Sequence, residues 1–154
     1  MSFYPPRIEV TIGNQRVRFI KGHVVAREWP CSTSKFGVGF TEGSYKTPLG
    51  RFIIKEKHGD GADIGTIFKA RQPVGMWVSE MDTMSDFVLT RILWLQGLEA
   101  RNANTYQRYI YIHGTHDEKS IGRPGSHGCV RMKNRDVMEL FDLVSVGSPV
   151  WISE

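Results

Sequence analysis

Apolar and polar residues alternate over Arg7-Ile8-Glu9-Val10-Thr11-Ile12 and again over Gln15-Arg16-Val17-Arg18-Phe19-Ile20, with Gly13-Asn14 between them. A period of two sends successive side chains to opposite faces of a strand, so this stretch predicts a β-hairpin. Lys21-Gly22 marks a second turn and His23 to Cys31 a third strand, a simple meander. Gly50 to Lys57 reads as a strand closed by the turn His58-Gly59-Asp60-Gly61, and Ile67 to Gln72 and Met76 to Glu80 as short strands. Phe87 to Leu95 is apolar almost throughout, which periodicity alone does not divide between buried helix and buried strand. Its β-branched and aromatic residues predict a strand. Arg108 to His113 carries Tyr and Ile on both faces and predicts a central strand. One helix is expected, with Asn134 as cap and Val137, Leu140, Phe141 and Val144 on one face. Gly147 and Pro149 end it, and Val150-Trp151-Ile152 reads as a closing strand.

The alternation fails from Ser32 to Pro48, where Gly37, Gly39 and Gly43 mark a long loop. Loops of that length are uncommon unless they carry function. No repeat, linker or low-complexity stretch divides the chain, so residues 1–154 read as one mainly β domain with a helix near the C-terminus.

Composition narrows the class. Two cysteines in 154 residues are too few for a disulfide-dense scaffold. The longest unbroken aliphatic and aromatic run, Ile92-Leu93-Trp94-Leu95, is far short of the ~20 residues of a membrane-spanning helix. The start, MSFYPPRIEV, shows no apolar leader run, which sets the expectation of a cytoplasmic location, or a periplasmic or cell-wall one if a leader was removed. The net charge of +4 is not gathered into a stripe. Its densest cluster, Arg131, Lys133 and Arg135, is followed at once by Asp136 and Glu139, so no nucleic-acid partner is expected.

Chemistry concentrates between Tyr109 and Met132, in YIYIHGTHDEKSIGRPGSHGCVRM, which holds three of the five histidines and one of the two cysteines. A cysteine nucleophile needs a nearby base or cation, backbone donors for an oxyanion, and access for substrate. His113 ends a central strand, and Gly128 before Cys129 lets a carbonyl approach the main chain. His127 and Cys129, two positions apart in an extended segment, would project to one side. The imidazoles are expected to draw Cys129 from the ordinary thiol value of ~8.5 toward thiolate.

The segment resembles the catalytic motif of the L,D-transpeptidase (YkuD-type) family: a histidine, then at a distance Ser/Thr-His-Gly-Cys, an apolar residue, and Asn or Arg. Those positions are His113 and Ser126-His127-Gly128-Cys129-Val130-Arg131. Cys31-Ser32-Thr33-Ser34 and Lys46-Thr47-Pro48-Leu49-Gly50-Arg51-Phe52 resemble the family's early strand and its Thr-Pro turn, so the likeness spans roughly residues 7 to 153. It implies a β-sandwich or open barrel of mixed strands with one helix near the C-terminus. It further implies Cys129 as thioester-forming nucleophile, and His113 as general base or ion-pair partner, oriented by the Gly114 carbonyl. His127 would stand beside the nucleophile, and backbone N–H groups of Gly128 and Cys129 would hold the oxyanion. Arg131 would grip substrate or steady the thiolate, and Ser126, Tyr45 and Trp77 are further substrate-contact candidates, Trp77 from a flap over the site. The implied substrate is a peptidoglycan tetrapeptide, or its muropeptide precursor or recycling form, attacked between diaminopimelate and D-alanine. Neither metal nor organic cofactor is implied. The acyl acceptor is an amine for cross-linking, or water for L,D-carboxypeptidase trimming to tripeptide. The spacing from His113 to Ser126 is shorter than in many members, which places the difference in the substrate contacts.

Other readings stand beside this one. His113, His116 and His127 with Cys129 could form a tetrahedral zinc site of a hydrolase, although no Cys-x-x-Cys or His-Glu-x-x-His supports it. A murein-binding module that had lost catalysis would not need the intact Cys-His set. A papain-like hydrolase usually places cysteine before histidine, the reverse of the order here. Cys31 reads as a packed, reduced thiol, and His116 as a loop-surface residue.

Overall fold

A computed structural model describes residues 5–81 and 84–154. Residues 1–4, Asp82 and Thr83 lie outside the described residues. Among the described residues ten strands form: β1 Arg7–Thr11, β2 Arg16–Lys21, β3 Val24–Ser32, β4 Gly50–His58, β5 Thr66–Lys69, β6 Gln72–Met76, β7 Val88–Gly97, β8 Tyr111–Gly114, β9 Val130–Met132 and β10 Pro149–Ser153. Among the described residues there is one α-helix, α1 (Asn134–Leu143), and two short 3-10 turns.

The ladder runs β4-β10-β1-β2-β3-β9-β8-β7, and β7 pairs back onto β4, so eight strands close into a barrel. The pairs β1–β10 and β8–β9 are parallel and the rest antiparallel. The mainly β class, the mixed strands, the opening meander and the helix near the C-terminus are as expected. Closure leaves no exposed edge on the ring. The hairpin β5–β6 hangs from the first half of β7, outside the ring.

Alternation sorts the side chains. Ile8, Val10, Val17, Phe19, Phe52 and Ile54 face the barrel interior, where α1 adds Val137, Leu140 and Phe141. Burying each such side chain contributes about 1.5–3 kcal/mol. β7 is buried on both faces: Leu93 and Leu95 point into the barrel, Ile92 and Trp94 into an outer cluster with Phe68 and Tyr111. Its continuous apolar run is thus that of a strand covered on both sides.

Three expectations shift. The second short strand is Gln72–Met76 rather than Met76–Glu80, because the hairpin turns at Ala70-Arg71, both at positive φ, with neither Gly nor Asn to announce it. The strand expected from Arg108 starts only at Tyr111, since the chain reverses at Tyr109, φ +57°. Asn134 is the first helical residue and not the cap: its N–H is held by the Glu118 carboxylate at 2.8 Å. At the other end of α1, Lys57 Nζ donates to the carbonyls of Phe141 and Val144. No helix among the described residues is long and apolar enough to cross a membrane.

Candidate active site

β8 and β9 run parallel, with Ile112 beside Val130 and His113 beside Arg131. Ile112, Val130 and Met132 face the barrel core, so alternation places Tyr111, His113 and Arg131 on the opposite, outer face. Cys129, immediately before β9, packs on that face against the outer cluster. Its Sγ accepts the Tyr111 N–H at 3.3 Å and donates to the Tyr109 carbonyl at 3.4 Å. The topology therefore brings His113 and Cys129 onto one face of two adjacent strands.

His113 is 1% exposed, and its Nδ1–H donates to the Gly114 carbonyl at 2.5 Å. That bond fixes the tautomer: the neutral ring keeps a lone pair on Nε2, where a proton can be accepted. Burial lowers the His113 pKa, with Asp86 opposing. Burial also pushes the Cys129 thiol up to about 12, against the Tyr111 N–H, Arg108 and Arg131, which pull it down. The expected thiolate is corrected accordingly. Burial works against the charged form of both groups and so favours a neutral thiol beside a neutral imidazole.

A backbone irregularity stands opposite His113. The β7–β8 register breaks between Leu89 and Ile92, and Thr90 sits at φ +76°. A β-branched residue in the left-handed region costs on the order of 1–3 kcal/mol, and bulges of this kind re-aim neighbouring side chains. Thr90 Oγ1 accepts from the Gly65 N–H and donates to Asn134 Oδ1 at 2.6 Å, and Asn134 Nδ2 donates to the Thr115 carbonyl. Thr90 and Asn134 thereby tie the bulge, the end of β8 and the start of α1 together.

The loop before Cys129 is held by hydroxyls. Ser126, fully buried, accepts the Gly128 N–H at 3.2 Å and donates to the Cys129 carbonyl at 2.6 Å. Thr47 Oγ1 donates to the Gly128 carbonyl at 2.9 Å. Gly128 has φ +121°, a conformation that favours glycine. Two expectations change here: Ser126 is an internal brace and not a substrate contact, and the Gly128 N–H is already engaged.

Arg131 is also buried, at 5% exposure, with Nη1 3.3 Å from Asp86 and Nη2 3.4 Å from Ser32 Oγ. It is a braced cation and not an open grip for substrate. The other oxygen of Asp86 lies 3.3 Å from His127 Nδ1. Burial alone would raise the Asp86 pKa, but the Arg131 cation and the hydrogen bond from His127, with His113 nearby, hold it below the usual carboxylate value. The His127 ring meets Tyr45 edge-on at 5.7 Å and Phe36 at 6.0 Å. Tyr45 is 57% exposed and Phe36 47%, so these rings form an open aromatic rim. Trp77 lies instead over His116, stacked at 5.6 Å, with Phe87 against the same imidazole. His116 is thus partly covered, where an open loop surface was expected. Among the described residues no three His, Cys, Asp or Glu side chains gather as a metal-holding group.

Asp86, Thr47 and Arg108 were not singled out as site residues from the sequence. Asp86 lies in Met84-Ser85-Asp86-Phe87, which has no periodicity, and Thr47 was visible only as part of a turn. Arg108 donates to the carbonyls of Lys46 and Gly39 and has Cys129 as an electrostatic neighbour. Elsewhere, a groove of about 610 Å³ runs past Arg7, Arg51, Leu98 and Trp151 and contains no nucleophile–base pair. The candidate site is marked by its chemistry and not by this groove.

Comparison with known proteins bears on this geometry. The YkuD family, described as the L,D-transpeptidase catalytic domain, matches residues 5–152. The chain is 52% identical over 47 residues to the L,D-transpeptidase YkuD of Bacillus licheniformis, covering 30% of this chain and 28% of that protein. It is 41% identical over 61 residues to the L,D-transpeptidase YqjB of Bacillus subtilis, covering 40% and 33%. Among solved structures, an L,D-transpeptidase from Mycobacterium smegmatis superimposes with a TM-score of 0.66 at 19% identity, covering 97% of this chain and 58% of that one. One from Xylanimonas cellulosilytica gives 0.64 at 17%, covering 99% and 61%. These structural likenesses establish the fold, and the matches span about a third or less of those two curated relatives.

Proposed function

Because the chain belongs to the L,D-transpeptidase catalytic domain family, we propose that it is a cysteine acyl-transfer enzyme acting on the diaminopimelate–D-alanine bond of peptidoglycan stem tetrapeptides. The observation that carries this reading is the parallel β8–β9 register, which sets Cys129 and a His113 with a free Nε2 lone pair on one face. In the first step Cys129 Sγ loses its proton to His113 Nε2 and bonds to the diaminopimelate carbonyl carbon, whose π pair moves onto oxygen. The C–N bond then breaks, and the leaving D-alanine nitrogen takes the proton from His113. A thioester remains on Cys129. An acceptor gives up a proton to His113 and attacks the thioester, and the sulfur leaves and is reprotonated. Water as acceptor releases tripeptide, and an amine of a second stem makes a cross-link. Tyr45, Phe36 and His127 offer the rim against which the peptide would lie.

Incubation with a disaccharide-linked tetrapeptide, read by mass spectrometry, tests this. Loss of one alanine without dimer supports carboxypeptidase action, and a cross-linked dimer supports transpeptidation. Neither product from folded protein overturns the proposal. Cys129→Ala is expected to abolish both products and the thioester adduct.

A further inference from the structure

We infer that Thr47 is a positioning residue that aims the Cys129 N–H at the oxyanion of the acyl-transfer step. The inference rests on Cys129 acting as an acyl-accepting nucleophile, as proposed above, but not on the identity of the peptide.

Thr47 is fully buried, 81 positions before Gly128 in the chain yet bonded to it. Its Oγ1 accepts the Ser34 N–H at 3.0 Å and so has its own hydrogen to donate to the Gly128 carbonyl at 2.9 Å. Its main chain is fixed too: the Thr47 N–H donates to the Gly37 carbonyl, and its carbonyl accepts from the Gly39 N–H. The hydroxyl is therefore held from both sides.

The consequence follows from peptide planarity. The Gly128 C=O and the Cys129 N–H belong to one trans peptide unit and point in opposite directions. Holding the carbonyl on Thr47 sends the N–H the other way. Ser126 engages the Gly128 N–H and the Cys129 carbonyl, so the Cys129 N–H is the polar main-chain group of this pair left to a substrate oxygen. Gly128, at φ +121°, has little intrinsic resistance to a flip of this unit, and the Thr47 bond supplies the restraint. The geometry explains why a buried threonine hydroxyl is placed at the loop that precedes the nucleophile.

The test compares two reactions of the same sulfur. Acylation by 4-nitrophenyl acetate passes through an oxyanion; alkylation by iodoacetamide does not. Thr47→Val removes the hydroxyl at nearly constant volume. It is expected to slow the nitrophenol burst by roughly 10–100-fold, the scale set by losing a well-aimed oxyanion donor or by a displacement of about 1 Å. Alkylation is expected within about twofold of wild type, and Thr47→Ser to restore acylation. Equal acylation, or a parallel fall in both reactions, overturns the inference. If Thr47→Val does not fold, Thr47→Ala meets the same criteria, and failure of both to fold assigns the hydroxyl to folding and overturns it as well. If tetrapeptide is not processed by wild type while the acylation ratio behaves as stated, the substrate reading fails and this inference stands.

Discussion

Asp86 pairs with Arg131 across 3.3 Å, where the arginine side chain is only 6% exposed and the carboxylate 21%. The same carboxylate reaches His127, so one acid braces both a buried cation behind the site and an exposed ring at its rim. Asp86→Asn leaves Arg131 without its counter-ion in a poorly solvated place. The expected loss is roughly 1–3 kcal/mol, below the full cost of stripping a buried pair because Asp86 itself is partly solvated. Urea denaturation reads it, and an unchanged midpoint at unchanged slope would show that the pair does not hold Arg131.

A site that rests as neutral thiol and neutral imidazole has a distinctive pH profile. The active form requires His113 unprotonated and Cys129 still carrying its proton. Burial lowers the former pKa from 6.5 and raises the latter to about 12. The acid limb of kcat/KM is therefore expected below pH 6.5, followed by a broad plateau with no thiol ionisation near the usual ~8.5. A pH-dependent ultraviolet thiolate signal with a midpoint between 6 and 9 would contradict the neutral pair.

The motif and the opening meander are legible in the sequence because both are local: the alternation of Ile8, Val10, Val17 and Phe19 needs only neighbours, and Ser126 to Arg131 is contiguous. What surrounds the nucleophile is not local. Asp86, Thr47 and Cys129 meet only when the β3, β7, β8 and β9 regions assemble, and no spacing in one segment encodes that meeting. Ionisation is hidden for the same reason, since His113 and Cys129 read in sequence as a pair poised to share charge while burial in the fold works against the charged form of each. The hairpin at Ala70-Arg71 escapes because its side chains are atypical for two consecutive positive φ angles.

His113 also links stability to pH. Its pKa is lowered on folding, so below 6.5 the unfolded chain takes up a proton that the buried ring refuses. The stability this group permits is present above the unfolded value and is lost as pH falls through 6.5 toward the lowered folded value. Thermal midpoints of wild type are expected to drop across that window more steeply than those of His113→Gln, which has no such proton to bind. Parallel curves would place the acid sensitivity elsewhere.

The two cysteines should separate cleanly by accessibility. Cys31 is fully buried in the barrel core, and burial pushes its thiol up to about 12. Cys129 has a similarly high value but stands partly exposed on the outer face. Iodoacetamide on native protein at pH 9 is expected to add one carbamidomethyl group, located by peptide mass analysis on Cys129, and a second only after denaturation. Modification of Cys31 in the folded protein would show that the barrel opens on the reaction timescale.

Gly114 gives the His-Gly pair a reason that does not depend on catalysis. A Cβ built there would lie 2.3 Å from Asn134 Oδ1 and 2.8 Å from the Leu89 carbonyl, both parts of the bulge and helix-start network. One of these neighbours is main chain, so the strand cannot simply yield. Gly114→Ala is expected to destabilise by about 1–3 kcal/mol, the usual range for overpacking, lowering the thermal midpoint. Because the Gly114 carbonyl also orients His113, turnover in the folded variant is expected to fall further than substrate binding, seen as a lower kcat at similar KM. Asn134→Ala in the same background removes the clashing oxygen but also the Thr90 and Thr115 bonds, so it should not restore wild-type stability. Full recovery in that double variant would show that the Asn134 network contributes little and that steric relief alone decides the site.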